Sequence, residues 1–456
     1  MSTRHGSRRR GAFTITVLIA ASATAVTTLA SGNGPNMFGY ADSSGIVRTY
    51  DVNGAIDLQN PFFQSLGTNG RSCASCHRPE DGWTIVPSHV QARFENSGGE
   101  DPIFRTNDGA NSPWADVSTI DARRAAYNML LTKGLIRVGI GVPSNAEFEL
   151  VDVDDPYHYA SASELSLFRR PLPSTNLNFL SAVMWDGRET FASQSIHFDL
   201  SDQANGATLG HAAATNPLTD AQRNAIVDFE TSLYTAQAVD NAAGVLNAQL
   251  GTGGPLALSQ QPFYLGINDA LSSGFNARAF TLFDGWRDLS STERDPYTEA
   301  RAAVYRGQEI FNTRTFTVSG VRGVNDALQV PALNATCTVC HDTPNVGNHS
   351  VSLPLDLGLT AESMRTPDMP LYTFRNKTTG EIVKTTDPGR ALVTGKWRHM
   401  STFKGPILRG LAARAPYFHN GIAATLADVV NFYNTRFNIG LSAQEKSDLA
   451  AFLSTL

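Results

Sequence analysis

The chain alternates between stretches in which apolar residues recur at helical spacing and stretches with no such period. The clearest helical stretch opens with Thr219 and Gln222, which form a capping box, and a second opens with Ser442 and Glu445 near the C-terminus. The apolar positions on one face are Ile226, Phe229 and Leu233 in the first helix, and Leu449, Phe452 and Leu453 in the second. Both stretches are therefore predicted to be amphipathic helices that cover a core.

Helices are also predicted in three other places, which are marked by start and stop signals. The first runs from Asp121 to Lys133 and ends at Gly134, the second covers 298–311, and the third is capped by Thr425 and reaches Tyr433. The apolar run 135–142 favours a short strand or another extended segment.

Long stretches between these helices lack any period. Residues 31–70, 78–118 and 240–295 are rich in small, polar and turn-forming residues, and we expect them to be irregular. A loop as long as 78–118 inside a compact unit is usually functional. Because few stretches favour strands, the pattern predicts a mainly α protein with extensive loops.

The composition and the N-terminal residues also predict the cellular compartment of the protein. The 456 residues are 41% hydrophobic and 17% charged, which is ordinary for a globular protein, and the formal net charge is −6. Arginines at 8–10 precede an apolar run from Ala12 to Ala30, which is typical of a signal peptide over 1–30. The run is rich in threonine and alanine, so no permanent membrane span is expected, and no basic run remains for nucleic acid. We therefore expect a periplasmic or secreted protein.

The four cysteines form two copies of one short motif. The copies are Cys73-Ala-Ser-Cys76-His77 and Cys337-Thr-Val-Cys340-His341. In this motif two thiols add across the vinyl groups of one haem, and the adjacent histidine becomes the proximal ligand of the iron. A zinc site would need its ligands close together, whereas 264 positions separate the two pairs. The motifs therefore predict two covalently bound haem c groups.

The chain is accordingly predicted to contain two c-type cytochrome domains with one covalent haem each. We place the signal peptide at 1–30, the N-terminal cytochrome c domain at 31–240 and the C-terminal one at 298–456. The glycine- and proline-rich residues 241–297 would form a connection or an insertion.

Three landmarks, in this order, make the chain resemble the di-haem cytochrome c peroxidase superfamily, which includes the MauG-type enzymes. The first is the pair of haem motifs, and the second is Met184-Trp185-Asp-Gly-Arg188-Glu189. The third is Gly405-Pro-Ile-Leu-Arg409 with Ala415-Pro-Tyr-Phe-His419-Asn-Gly421, followed by Thr425-Leu and Asp428-Val-Val. The resemblance spans about 70–456, with insertions before Trp185 and before the second motif.

The resemblance implies a division of labour between the haems and a peroxidase-like haem oxidoreductase activity. The N-terminal haem, bound by His77, would react with peroxide or dioxygen. The C-terminal haem, bound by His341, would store or relay electrons supplied by a small redox protein or taken from another substrate. Trp185 would lie between the haems as an oxidisable relay, and an ordinary core aromatic is the other interpretation.

The sixth ligand of the C-terminal haem is the most informative position in this resemblance. Peroxidases of the family carry a methionine in the helix after the third landmark, and here Tyr433 takes that place, as in the MauG-type enzymes. Tyrosinate is a hard anion that stabilises ferric and higher iron. His419 would lie beside a haem or its propionate. The other candidate ligands are Met364, Met369, Met400, His349 and His399.

The N-terminal site departs from the family where the resemblance implies a distal acid. Family members carry a glutamate after the Trp-Asp-Gly-Arg segment, and residues 202–214 contain none. Cleaving the O–O bond of peroxide needs a proton carrier near the iron, and His211 or Gln203 could take this role. His89, in the loop after the first motif, is a candidate for a removable ligand.

A second departure concerns the calcium ion that the family holds between its haems. Two side-chain ligands of that ion align with Arg170 and Arg414. A guanidinium group has no acceptor atom and cannot bind a cation. Calcium is therefore not expected, and the two arginines would take its place or pair with propionates.

Two other functions stay open from the sequence. The di-haem rubber oxygenases also have a long insertion before the Trp-Asp-Gly-Arg segment and an apolar pocket, which residues 134–137 could supply. Their second haem is bis-histidine, however, which Tyr433 argues against. A non-catalytic electron carrier would instead have both irons saturated, and carbon monoxide binding by the reduced protein would distinguish it from an enzyme.

Overall fold

The computed structural model describes residues 33–289 and 295–456. The signal peptide predicted at 1–30 lies outside these residues. Within the two described ranges, no helix combines the length and the apolar character that crossing a bilayer requires.

Ten α-helices occur in the described residues. They are α1 (Pro87–Ser97), α2 (Ile120–Ala126), α3 (Asn128–Lys133), α4 (Ile196–Gly210), α5 (Asp220–Ser232), α6 (Pro255–Leu258), α7 (Thr298–Thr313), α8 (Ala391–Thr394), α9 (Leu426–Arg436) and α10 (Ala443–Ser454). The caps predicted at Thr219, Thr425 and Ser442 are formed and start α5, α9 and α10. The helix predicted at 121–133 is split into α2 and α3, because Tyr127 leaves the helical conformation between them.

Thirteen strands, all of them short, make up five antiparallel sheets in the described part of the chain. They are β1 (Asn33–Gly34), β2 (Gly39–Ala41), β3 (Gly45–Asp51), β4 (Ile56–Asp57), β5 (Ile136–Ile140), β6 (Phe148–Asp154), β7 (Leu165–Arg169), β8 (Leu233–Asp240), β9 (Gly244–Val245), β10 (Phe316–Ser319), β11 (Ala332–Ala335), β12 (Leu371–Asn376) and β13 (Ile382–Thr385). The strand predicted within 135–142 is confirmed as β5.

The prediction of a mainly α protein is wrong, because the fold is mixed, and its division into two cytochrome domains is not confirmed. The described residues are 30% helix and 17% strand. Strands β2 and β3 lie in the stretch 31–70 that the sequence analysis expected to be irregular. Strand β2 has three residues, and β3 depends on pairing with residues far away in sequence, since its Thr49 lies opposite Thr235 of β8.

One sheet joins segments from the N-terminal and C-terminal halves of the chain. Strand β6, from the insertion before Trp185, pairs with β12, which also pairs with β13 after the second haem motif. Phe148 of β6 and Phe374 of β12 meet edge to face, with 5.4 Å between ring centroids, in the apolar cluster beneath this sheet. The insertion before Trp185 and the segment after the second haem motif therefore build a common layer.

The described residues 241–289 of the glycine- and proline-rich segment pack into the core around α7 and α10. Phe283 and Trp286 of this segment stack with 4.4 Å between ring centroids. Phe280 contacts both Phe311 of α7 and Phe452 of α10, at 5.2 and 5.3 Å. The domain boundaries proposed at 240 and 298 stay predictions.

Helices α5 and α10 are equivalent elements of the two halves. In the first half Phe229 of α5 contacts Phe62 at 5.2 Å, and Phe62 lies 6.4 Å from the ring of His77. In the second half Phe452 of α10 contacts Phe311 at 5.7 Å, and Phe311 lies 5.9 Å from the ring of His341. Each capped helix thus supports its motif histidine through one phenylalanine pair.

Candidate functional site

The first motif is a short 3₁₀ turn fixed by its own hydrogen bonds. The amide of Ser72 donates to the hydroxyl of Ser75 at 3.0 Å, and the amide of His77 donates to the carbonyl of Cys73 at 2.9 Å. Cys73, Cys76 and His77 all line a cavity of about 190 Å³, which we call the N-terminal cavity. The turn therefore presents both thiols and the imidazole to one space.

The ring of His77 is held so that Nε2 is the atom free to bind a metal. Its Nδ1 lies 3.0 Å from the carbonyl oxygen of Trp83, which can only accept, so Nδ1 carries the proton. Burial lowers the pKa of His77 to about 4, and the imidazole is neutral at pH 7. A neutral imidazole fixed through Nδ1 by a backbone carbonyl is the form in which histidine binds metals.

The second motif repeats this arrangement. Residues 337–339 form the turn, and the amide of His341 donates to the carbonyl of Cys337 at 3.1 Å. The Nδ1 atom of His341 lies 2.6 Å from the carbonyl oxygen of Gly347, and burial lowers the pKa of this histidine. Cys337, Cys340 and His341 line a second cavity, of about 210 Å³, which we call the C-terminal cavity.

A shared wall separates the two cavities and contains the predicted relay residue. The residues that line both cavities are Arg170, Pro171, Pro173, Trp185, Lys404, Pro406 and Arg414. The indole Nε1 of Trp185 donates to the carbonyl of Arg170 at 2.8 Å, and its ring meets that of His419 edge to face at 6.1 Å. Trp185 thus lies between the two motif sites.

A buried ion-pair network, which the sequence analysis missed, anchors the turn that follows Trp185. Arg169 donates to Asp186 at 2.6 Å and to the two carboxylate oxygens of Asp387 at 2.7 and 2.9 Å. Asp186 also accepts from Arg188 at 3.1 Å. Burial would raise the pKa of Asp186, but the charges of Arg169 and Arg188 outweigh it and lower this pKa to about 2.

Both predicted proton carriers, Gln203 and His211, line the N-terminal cavity. His211 directly follows α4, and its Nδ1 bonds to the carboxylate of Asp108, whose other oxygen bonds to Arg71. Burial would raise the pKa of Asp108, but His211 and Arg71 lower it, so this carboxyl is ionised. An ionised carboxylate accepts the proton of Nδ1, which leaves Nε2 of His211 as the atom that can exchange a proton.

The stretch 78–118, which was predicted to be a functional loop, contains helix α1 and also fixes the position of His211. Its residue Asn107 donates to the carbonyl of Gly210 at 3.0 Å. The carbonyl of His211 itself accepts from Asn69 at 2.8 Å and from Arg71 at 3.2 Å. The end of α4 is therefore held between this loop and the segment just before the first motif.

Tyr433 and His419 both line the C-terminal cavity together with His341. Burial raises the pKa of Tyr433, so a nearby cation would be needed to ionise this phenol. The ring of His419 stacks on Phe403 with 4.1 Å between centroids, and its buried Nε2 has no hydrogen-bond partner among the described residues. A buried nitrogen without a partner at the wall of a cavity points to a bound group that supplies one.

The other candidate ligands named from the sequence lie away from the cavities. They are Met364, Met369, Met400, His349 and His399, and none of them lines the C-terminal cavity. Met400 packs instead in an apolar cluster with Phe148 and Tyr372. His89 bonds to Asp81 and does not line the N-terminal cavity.

The cavity walls carry positive groups that form no ion pair within 33–289 and 295–456. Nη2 of Arg409 and Nε of Arg414 are buried without a partner among the described residues. Burial lowers the pKa of Arg409 to about 9, that of Arg414 to about 10 and that of Lys404 to about 7. A haem brings two propionate carboxylates, which would supply the missing anions. The motif thiols, the free Nε2 atoms and these unpaired cations therefore fit one haem in each cavity.

Arg170 occupies a site rich in backbone oxygen at the shared wall. Its guanidinium donates to the carbonyls of Lys133 at 3.0 Å, Ile85 at 2.7 Å and Arg414 at 3.2 Å. Carbonyl oxygens of this kind are also ligands that Ca²⁺ prefers. Within 33–289 and 295–456, no group of three or more His, Cys, Asp or Glu could hold a metal ion. The absence of calcium stays a prediction.

Two ionisable residues on the cavity walls, the part-buried Lys404 and the buried Glu230, were not predicted from the sequence. Lys404 directly precedes the third landmark and gives no signal of its own. Glu230 does give one, because it follows Ile226 by four positions and so falls on the apolar face of a capped helix. Asp108 lies in a stretch without a period, and nothing in the sequence distinguishes it.

Comparison with known proteins finds relatives that are named as cytochrome-c peroxidases. The chain is 31% identical over 134 residues to cytochrome-c peroxidase IdrP2 of Denitromonas iodatirespirans, which covers 26% of this chain and 35% of the relative. It is 26% identical over 236 residues to cytochrome-c peroxidase IdrP1 of Pseudomonas sp. (strain SCT), which covers 46% of this chain and 59% of the relative. The chain thus matches less than two thirds of the length of these relatives.

A solved structure of a MauG-like protein associated with microbial copper homeostasis is 15% identical, with a TM-score of 0.39 over 88% of each chain. No protein-family model matches the chain. The curated relatives carry the peroxidase name that the haem motifs and the Trp-Asp-Gly-Arg segment led us to expect. The resemblance of this chain to the di-haem cytochrome c peroxidase and MauG superfamily is thereby confirmed.

Proposed function

We propose that the protein is a di-haem c-type oxidoreductase that acts on peroxide or dioxygen at its N-terminal cavity. In each cavity the two motif cysteines would attach one haem, and His77 or His341 would bind its iron through Nε2. The haem iron supplies the redox chemistry when it is bound. The residues of the chain then hold the haems, connect the two sites and move protons.

The observation that carries this proposal is the shared wall between two cavities that each contain a complete haem motif. Trp185 belongs to both cavities, its ring is held through Nε1, and the network of Asp186 and Arg169 anchors the turn that follows it. An oxidisable ring held in one orientation between two redox sites suits the transfer of electrons from one to the other. The C-terminal site would therefore relay electrons to the N-terminal site.

Proton delivery in the N-terminal cavity would fall to His211. Reducing one hydrogen peroxide to two waters takes up two electrons and two protons, so a residue must bring protons to the site. Asp108 orients the imidazole of His211 and leaves its Nε2 as the exchanging atom. Gln203 of α4, the helix that His211 directly follows, would help to bind and orient the oxidant. This pair would replace the glutamate that the family uses.

The C-terminal cavity would be closed to outside ligands. Tyr433 lines this cavity on the helix from which the family delivers its sixth ligand. The cation that its buried phenol needs in order to ionise would be the iron itself. His419, with its unpaired Nε2 atom, would donate a hydrogen bond to a propionate or to an ordered water.

A dioxygenase is the second candidate function, and one observation favours it. Ile136 and Val138 of β5 line the N-terminal cavity, so part of its wall is apolar. An apolar wall would suit a hydrocarbon substrate beside the iron. His211 and Gln203 on the same cavity favour the peroxidase.

The electron donor and the compartment belong to this proposal as well. The relatives are named cytochrome-c peroxidases, so we propose a small c-type cytochrome as the donor and hydrogen peroxide as the oxidant. A periplasmic or secreted location would fit, because covalent attachment of haem to CxxCH motifs normally follows export.

The test is steady-state turnover of the haem-loaded protein with hydrogen peroxide and a reduced small c-type cytochrome. We expect peroxide-dependent oxidation of the cytochrome, which Trp185→Phe slows without loss of haem. Trp114→Phe is the matched control, since Trp114 is 77% exposed and lines neither cavity. Oxygen uptake with an apolar alkene and no peroxide turnover would instead identify a dioxygenase. A reduced protein that binds no carbon monoxide would identify an electron carrier.

A further inference from the structure

A buried glutamate lines the N-terminal cavity, and the function proposed above gives it no role. Glu230 of α5 is 7% exposed and lies on the cavity wall with Cys73. Among the described residues its carboxyl group has no hydrogen-bond or ion-pair partner, and burial raises its pKa to about 8. The carboxyl group therefore exchanges its proton near neutral pH, in contrast to an ordinary surface glutamate.

The C-terminal half has a leucine at the matching position. The capping boxes of α5 and α10 start at Thr219 and Ser442, which are 223 positions apart, and the same offset relates Glu230 to Leu453. Leu453 lines the C-terminal cavity just as Glu230 lines the N-terminal one. The two helices also support their motif histidines through equivalent phenylalanine pairs. The N-terminal cavity thus has a carboxyl group at the position where the C-terminal cavity has an apolar side chain.

The charged groups close to Glu230 on its own helix and on α4 do not pair with it. Asp228 of α5 is on the exposed side of the helix, 3.3 Å from His197 of α4. On the cavity side His211 bonds to Asp108. None of these groups neutralises Glu230.

The other elements that pack on α5 also provide no charged partner for Glu230. The segments at 61–63 and 177–179 that pack on α5 contain no titratable residue. The hydroxyl of Tyr234, at the start of β8, accepts a hydrogen bond from Asn178 at 2.9 Å. Cys73 becomes a thioether when haem attaches, and the unpaired arginines of the cavity would then face propionates. Reduction of the iron would then change the charge in the cavity that Glu230 lines.

The charge on the iron and the proton on a buried carboxyl group influence each other. One-electron reduction of a haem removes one positive charge from the cavity. In a site shielded from water, loss of a positive charge raises the pKa of a neighbouring carboxyl group. A carboxyl group that already titrates near neutral pH then binds a proton as the iron is reduced.

We propose that Glu230 is the proton acceptor coupled to reduction of the N-terminal haem site. One electron arrives from an external one-electron reductant, and one proton passes from water to a carboxylate oxygen of Glu230, so that the net charge of the cavity is unchanged. Oxidation returns both. The proposal rests on the haem attachment proposed above and gives the N-terminal site a stored proton, which a peroxide-reducing reaction consumes.

The experiment is a potentiometric titration of the haem-loaded full chain at several pH values between about 6 and 9, with the two haems resolved by their visible spectra. In the wild-type protein the potential of one haem should fall as the pH rises, with a slope that approaches about 59 mV per tenfold change in proton activity. Glu230→Gln should flatten this dependence while haem content and spectra are retained. Asp228→Asn, which removes a charge from the exposed side of the same helix, should leave it unchanged.

Matching potential–pH curves for the wild-type protein and Glu230→Gln would overturn the proposal. Should Glu230→Gln not fold, Glu230→Leu, which copies Leu453 of the other half, carries the same prediction. If the Glu230 variant carries haem and its potential–pH curve equals that of the wild-type protein, this inference alone is overturned. Protein without covalent haem would overturn both this inference and the proposed function.

Discussion

Replacing Asp186 by asparagine should destabilise the protein by about 2–5 kcal/mol. Asp186 is fully buried, accepts from Arg169 at 2.6 Å and from Arg188 at 3.1 Å, and directly follows Trp185. Asparagine keeps the shape of the side chain but removes its charge. Arg169 would then be left in the interior with Asp387 as its one carboxylate partner in the network.

Two estimates set the lower and upper parts of this range. The pKa of Asp186 is about 2 in the folded protein against an ordinary value of 3.8. At about 1.36 kcal/mol for each pH unit, the difference corresponds to about 2.4 kcal/mol at pH 7. Breaking a buried ion pair by removing one partner costs about 3–5 kcal/mol. Because the folded-state pKa is the lower one, this stabilisation is complete well above pH 3.8 and is lost as the pH falls toward 2, with roughly half of it gone at pH 3.

The assay is urea unfolding of the haem-loaded wild-type protein and of Asp186→Asn at pH 7 and at pH 3. The difference between the two proteins should be large at pH 7 and roughly half as large at pH 3. Glu362→Gln is the control, because Glu362 pairs with Lys384 where both side chains are about half exposed, and its loss should cost less than about 1 kcal/mol. Equal midpoints for wild-type and Asp186→Asn at pH 7 would refute this account of the network.

Three further outcomes follow from the two cavities. Tyr433→Phe should convert the C-terminal haem to high spin and open it to carbon monoxide, as followed by visible and electron paramagnetic spectra, whereas Met400→Leu should change neither; an unchanged spectrum in Tyr433→Phe would contradict the assignment. His211→Ala should slow the reaction with peroxide by roughly 10²–10⁴-fold in stopped-flow measurements. Asp108→Asn should slow it less and shift its pH profile, and equal rates in all three proteins would exclude this proton path. Treatment with a calcium chelator should leave turnover and thermal stability unchanged, because the Arg170 guanidinium already fills the oxygen-rich site, and activation by added calcium would count against this.

The parts of the molecule that the sequence predicted are those set by local rules. The capping boxes at Thr219 and Ser442 place polar side chains within three residues of the amides they satisfy, so they form as predicted. The haem motifs are equally local, because a turn of five residues brings the thiols and the imidazole together. The position of Trp185 came from the family resemblance, since spacing alone does not show which wall a tryptophan joins.

The parts that the sequence did not predict depend on contacts between distant residues. Thr49 and Thr235 bond across β3 and β8 at 2.8 Å although 186 positions separate them, and nothing local in either segment shows this pairing. Arg169 lies at the end of an apolar strand, and Asp387, its partner, is 218 positions away. Asp108 can be recognised as part of the site only from its contact with His211 in the folded protein. Long-range pairing thus decided both the fold class and the polar half of the site.

The most direct test of the account is the mass of the purified, exported protein under denaturing conditions. We expect a chain that carries two covalently attached haem groups. Replacing both cysteines of one motif, Cys337 and Cys340, should remove one of the two. A chain mass with no haem, or with one haem in the wild-type protein, would contradict it.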